Sequence, residues 1–245
     1  MKTMKRLLGV AAAASAITAA MTGAASAEAS FSGNVALTSD YVFRGISQSD
    51  SDIAIQGGLD YTNGIFYAGT WGSSIDFGLD GTVEVDVYGG VKPTLGPVTF
   101  DLGVVGYLYP GMDDAFDADY WELKLGASVA PAEGFTLGGN VYWTNDFTFT
   151  PTGDEQGLYA ELYGSYAFSD MFSASAGVGN QSVDVDNYYG TDDNYTTWNI
   201  GGTLSVYGFG IDLRYFDTDL DPELIGPSGD EISDGRVVLS LKRVL

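Results

Sequence analysis

The 245-residue chain has no cysteine and no histidine. The first absence removes disulfide scaffolds, thiolate metal sites and a lipidated N-terminal Cys; the second removes Ser-His hydrolases and the commonest zinc sites. An enzyme would have only carboxylate chemistry left, and barrel phospholipases and deacylases use His, so no catalytic residue, cofactor or resident metal is assigned. Cations are scarce as well, with 10 Lys+Arg against 33 Asp+Glu. Three of those cations, Lys2, Lys5 and Arg6, lie at the extreme N-terminus, so residues 28–245 carry seven cations, 33 acids and a net charge of −26. So anionic a surface excludes nucleic acid as a natural partner. Acidity of this degree also occurs in disordered chains, but 16 Tyr, 13 Phe and 4 Trp are too many aromatics for one. Beyond the first residues there is no apolar run of the roughly 18 residues that a membrane helix needs.

What is present begins with an export signal. Lys2, Lys5 and Arg6 form a positive region, Leu7 to Ala20 an apolar run, and Ala25-Ser26-Ala27 a small-residue cleavage site. Residues 1–27 therefore read as a secretory signal peptide and 28–245 as the mature protein.

From Phe31 onward the hydrophobic period is two. Val35, Leu37, Tyr41 and Phe43 oppose Asn34, Thr38, Asp40 and Arg44; Ile55, Leu59 and Tyr61 oppose Gln56 and Asp60; Val83, Val85 and Val87 oppose Glu84, Asp86 and Tyr88. Tyr67 and Trp71 oppose Thr70 and Ser74, Phe100 and Leu102 oppose Asp101, and Leu123 and Leu125 oppose Glu122 and Lys124. The division continues through Val141 against Tyr142, Leu162 against Glu161, and Leu213 against Asp212 and Arg214. About twelve such segments fit an antiparallel up-and-down transmembrane β-barrel, with ten and fourteen as neighbouring even counts. Short connections, such as Asn63-Gly64 and Tyr207-Gly208, alternate with long acidic ones, such as Pro110 to Asp119 and Thr218 to Ser233. Outer-membrane barrels show that alternation, with both termini on the periplasmic side. Aromatic belts are expected on the apolar face: Trp71, Trp121, Trp143 and Trp198 towards the long loops, and Phe135, Phe168, Phe172 and Phe209 towards the short turns. The expected location is the cell outer membrane of a Gram-negative-type bacterium, and the expected partners are outer-membrane lipid and lipopolysaccharide. Such barrels usually finish on an aromatic residue read by the barrel-assembly machinery; this chain ends Lys242-Arg243-Val244-Leu245, and Leu245 keeps the lipid-facing parity of Leu239 and Leu241.

One stretch is more specific than periodicity. Thr38-Ser39-Asp40-Tyr41-Val42-Phe43-Arg44-Gly45-Ile46-Ser47-Gln48, followed by Ile55-Gln56-Gly57-Gly58 and Tyr67-Ala68-Gly69-Thr70-Trp71, resembles the opening of the TorF-type porin family, proteobacterial conserved proteins of unknown function. The resemblance implies an outer-membrane barrel of porin type.

Candidate lumen residues are Asp40, Arg44, Asp60, Glu84, Asp86, Asp101, Glu122, Lys124, Glu161, Asp212 and Arg214. The pairs Asp40 with Arg44, Glu122 with Lys124, and Asp212 with Arg214 would either set a transverse field at a constriction or fill a narrow interior as structural ion pairs. Excess interior carboxylate predicts cation preference in a conducting pore for small hydrophilic solutes. Inward Tyr88, Tyr107, Tyr142, Tyr159 and Tyr163 either guide a solute or act as filler with a polar tip. Loop acids cluster at Asp113, Asp114, Asp117 and Asp119, at Asp184, Asp186, Asp192 and Asp193, and at Asp217, Asp219, Asp221 and Glu223. None follows an EF-hand pattern, and a solvated face and a loose Ca²⁺ or Mg²⁺ site are both open. The alternative to a channel is a non-conducting structural or adhesive barrel with these loops outermost. Oligomeric state is not encoded in any motif.

Overall fold

The computed structural model describes residues 29–113, 116, 118–150, 155–190 and 192–245. The signal-peptide reading of residues 1–27, and the loop acids Asp114 and Asp117, lie outside the described residues. The strands are β1 (Ser30–Thr38), β2 (Val42–Phe43), β3 (Ile46–Ser47), β4 (Ala54–Asn63), β5 (Phe66–Ser74), β6 (Val83–Val91), β7 (Thr94–Leu95), β8 (Val98–Leu108), β9 (Tyr120–Ala132), β10 (Phe135–Thr144), β11 (Gly157–Ala167), β12 (Phe172–Val183), β13 (Asn194–Val206), β14 (Phe209–Thr218) and β15 (Arg236–Val244).

Twelve of these strands, all but β2, β3 and β7, pair antiparallel with their neighbours, and the sheet closes on itself through β1 with β15. Closure leaves no edge strand to seek a partner, which a sheet surrounded by hydrocarbon requires. Alternating side chains then have only two destinations. Leu59, Leu162 and Leu213 point outward and are 64%, 68% and 56% exposed, whereas Glu84, Glu122 and Gln181 point inward and are no more than 2% exposed. The molecule is thus apolar outside and polar within, the reverse of a water-soluble sandwich. The short turns fall at Gly64, Gly96, Gly134 and Gly208, each with a positive φ.

The aromatic belts differ from expectation at one position. Trp121 and Trp143 lie edge to face at 6.0 Å on the outside, and Trp198 pairs with the outward Val178. Phe168 and Phe172 stack at 5.3 Å near the short turns, with Phe135 and Phe209 on the same outer face. Trp71 instead faces inward, because its register partners Gly58 and Asp86 stand on inward positions of β4 and β6. Tyr67 shares that face and donates to the inward Asp101 at 2.7 Å. In β5 the small residues Ala68 and Gly72 face out with Phe66, while Tyr67 and Trp71 face in, so size misstates the parity of this strand.

The second correction concerns the first strand. β1 ends at Thr38, and Asp40 and Arg44 belong to the following connection, not to a strand face. In that connection β2 and β3 form a small hairpin, with Val42 paired to Ser47 and Phe43 to Ile46. The two turn residues, Arg44 at φ 49° and Gly45 at φ 88°, form the left-handed two-residue turn that suits the twist of such a hairpin.

Candidate functional site

The β2–β3 hairpin folds into the barrel. Its Tyr41 reaches Glu84 on β6 and Trp71 on β5; Phe43 meets Tyr107 on β8; Arg44 meets β9, β10, β11 and β12; and Gly45 lies against Thr197 on β13 and Thr218 on β14. An element in contact with walls all the way round stands in the lumen. At Gly45 a Cβ would fall 2.3 Å from Thr197 Oγ1 and 2.5 Å from Thr218 Cγ2, so only glycine fits there.

The base of the hairpin is pinned by Asp40. Its Oδ1 accepts from Ser47 Oγ at 2.6 Å and Ser49 Oγ at 3.0 Å, and its Oδ2 pairs with Arg236 on β15 at 3.0 Å. Ser49 Oγ also accepts the Tyr41 amide at 2.9 Å, and the Gln48 amide donates to Tyr41 O at 2.7 Å. Every polar side chain from Thr38 to Ser49 thus has a partner, Ser39 Oγ accepting the Leu239 amide at 3.0 Å, which is why this segment carries so specific a sequence.

Arg44 occupies the centre. Nη1 and Nη2 donate to Oε1 and Oε2 of Glu122 at 2.8 and 2.6 Å, and Nη1 also donates to Gln181 Oε1 at 2.7 Å. The guanidinium lies over the rings of Tyr159, Phe43 and Tyr142 at 4.3, 4.7 and 5.2 Å. Tyr195 Oη donates to Arg44 O at 2.9 Å, which fixes the backbone as well. A two-pronged carboxylate with aromatic faces is the set of contacts that a planar cation favours. Tyr159 can tilt under it because inward Gly179 has no side chain; a Cβ there would fall 2.3 Å from the phenol oxygen.

Beside this pair lie more carboxylates than cations. Glu84 accepts from Tyr41 Oη at 2.6 Å, and Asp86 Oδ1 is buried without a partner. Burial, together with Glu84 and Asp86, pushes the Tyr41 phenol well above its ordinary range, so Tyr41 stays protonated and remains a donor.

Nearer the short turns the lumen is lined by a second tier. Asp60 accepts from Tyr88, Asp101 pairs with Lys124 at 2.7 Å, Glu161 accepts from Asn140 at 2.7 Å, and Asp212 pairs with Arg214 at 3.2 Å. Of the three expected pairs, Asp212 with Arg214 meets, whereas Asp40 pairs with Arg236, Arg44 with Glu122, and Lys124 with Asp101. Gln181, Tyr195 and Arg236 were not singled out by sequence; their only signal was the inward parity of their strands. Of the loop acids, Asp119 caps the Tyr109 amide at 2.7 Å and Asp219 the Thr196 amide at 2.6 Å. Among the described residues no three acidic side chains converge to hold a metal ion.

A model of a bacterial protein family of unknown function, Gcw_chp, matches residues 22–245. The chain belongs to the Gcw_chp family. No curated protein matches it in sequence. Among solved structures it is similar to NanC porin, with 12% identity, 88% of this chain and 98% of that one covered, and a TM-score of 0.58. It is also similar to KdgM porin, with 6% identity over 86% and 98% of the two chains and a TM-score of 0.56. An outer membrane channel from Pseudomonas putida F1 aligns at 13% identity over 88% and 95%, with a TM-score of 0.50. At such identities the likeness is one of fold, and this Gcw_chp member has the fold of the outer-membrane porin barrels.

Proposed function

We propose that this Gcw_chp protein is exported by its N-terminal signal and sits in the outer membrane as a narrow channel for small hydrophilic solutes that prefers cations. The observation that carries the reading is the interior. Asp40, Asp60, Glu84, Asp86, Asp101, Glu122, Glu161 and Asp212 face it, against Arg44, Lys92, Lys124, Arg214, Arg236 and Lys242. An anionic, low-dielectric passage concentrates cations and excludes anions. The porin likeness and the TorF-type motif agree with this, and the apolar outer face with its belts would meet lipid and lipopolysaccharide. Chemistry on a substrate is not part of the proposal, and nucleic acid would be repelled. Folding into the membrane would depend on the barrel-assembly machinery.

The test is reversal potential across a planar bilayer in a KCl gradient, recorded for the wild type and for Arg44→Ala. A potential on the potassium side supports the proposal, and one on the chloride side refutes it. A second reading, a non-conducting structural or adhesive barrel, is favoured by the hairpin in the lumen. Bilayers that stay sealed with both proteins would establish that second reading.

A further inference from the structure

Arg44 is held as a ligand is held. The groups that grip its guanidinium, Glu122 on β9, Gln181 on β12, Tyr142 on β10 and Tyr159 on β11, all belong to the barrel wall, with Phe43 the one contributor from the hairpin itself. The hairpin reaches this place at the end of a two-residue turn and shares no strand pairing with the barrel. The wall site is therefore complete without it.

Charge argues that the site does not stand empty. The cations beside this site are engaged elsewhere: Lys124 and Lys92 with Asp101, Arg214 with Asp212, and Arg236 with Asp40, while Lys242 stands in the lower tier towards Asp60. Glu84 and Asp86 already have no described cation in contact, Asp86 Oδ1 lacks any partner, and with Arg44 withdrawn Glu122 would join them. A buried Glu122 without a counter-charge is disfavoured, so withdrawal of the hairpin is favoured where another cation takes the place of Arg44.

We propose that Glu122, Gln181, Tyr142 and Tyr159 form a binding site for guanidinium-bearing solutes, in which Arg44 is the resident stand-in that an arriving solute displaces. The proposal deepens the channel reading, on which it rests for where a displaced hairpin would let the solute go. The planar fork matches the two oxygens of Glu122 while its faces meet the rings, and a primary ammonium of equal charge can do only one of these at a time. Selectivity for guanidinium over ammonium is its signature.

The experiment is calorimetric titration of agmatine, and of putrescine as the ammonium control, into refolded protein in detergent. Arg44→Ala is expected to bind agmatine about tenfold more tightly than the wild type does, and about tenfold more tightly than it binds putrescine. Arg44→Ala with Glu122→Gln is expected to lose that binding. Equal affinity of Arg44→Ala and wild type for agmatine, or equal affinity for the two amines, overturns the proposal. Since binding is read in micelles, a barrel that never conducts would sink the channel reading and leave this result standing. Should Arg44→Ala fail to fold, an Ile46→Cys variant supplies the only thiol in the chain. Agmatine must then raise its maleimide labelling rate well above the rate in putrescine, and an unchanged rate overturns the displacement.

Discussion

Arg44 and Glu122, 78 residues apart in sequence, meet as a two-pronged ion pair in the lumen towards the long-loop end of the barrel, with their side chains 6% and 1% exposed. One comes from a connection and the other from the wall, so this contact is one of those that tie the hairpin to the sheet, with Tyr41 to Glu84 and Asp40 to Arg236.

Removing one partner leaves the other charged and buried. Glu122→Ala is expected to destabilise the folded barrel by about 3–5 kcal/mol, in the range measured for breaking buried pairs. Urea unfolding followed by heat-modifiable gel mobility reads it. Combining it with Arg44→Ala should recover part of the loss, and strict additivity would show that the two residues do not interact.

Gly45 and Gly64 separate backbone strain from steric exclusion. Both have positive φ, 88° and 61°, but a Cβ at Gly45 meets Thr197 at 2.3 Å whereas one at Gly64 meets nothing within 4 Å. Gly64→Ala should cost about 1 kcal/mol, from conformation alone. Gly45→Ala should cost more and also push the hairpin out of the lumen, raising open probability in bilayers; equal effects at the two sites would contradict the hairpin's placement.

Brominated lipid distinguishes the tryptophans. A variant retaining only Trp198 should be quenched strongly, as its outward position requires, and one retaining only Trp71 should be nearly insensitive, since Trp71 lies against Tyr41 at 5.3 Å inside. Strong quenching of Trp71 would mean that β5 has the opposite register.

Asp40 is the hinge pin of the hairpin. Asp40→Ala removes the acceptor shared by Ser47 and Ser49 and releases Arg236. Trypsin should then cut after Arg44, whose side chain is buried in the wild type, and the wild type should resist; equal resistance of the two would assign the anchoring to other contacts.

The twelve barrel strands were legible because a sheet between lipid and a polar lumen must alternate, and strands such as Val83-Glu84-Val85-Asp86-Val87 do so without exception. The hairpin was not. Val35, Leu37, Tyr41 and Phe43 keep the same parity as an unbroken strand, and the break at Ser39-Asp40 and the turn-forming Arg44-Gly45 are visible only once the motif is read as a loop. Ion pairing was partly legible. Asp212 with Arg214 follows from spacing along one strand, but Arg44 with Glu122 spans the lumen, and no spacing in one dimension encodes a distance across a barrel. Trp71 failed for a third reason: the lumen near the hairpin accepts aromatic rings, so ring size no longer reports lipid.

The seam between β1 and β15 pairs residues 34–38 with 240–244, and the Leu245 amide donates to Gly33 O at 2.8 Å. β1 therefore lacks its second neighbour until β15, nine residues long, has been made. A premature stop before Arg236 would strip hydrogen-bond partners from β1 and β14 together, leaving two bare flanks in an otherwise intact sheet. Truncations that remove β15 should thus behave as complete losses of the protein, seen as aggregation or degradation and not as a leaky pore.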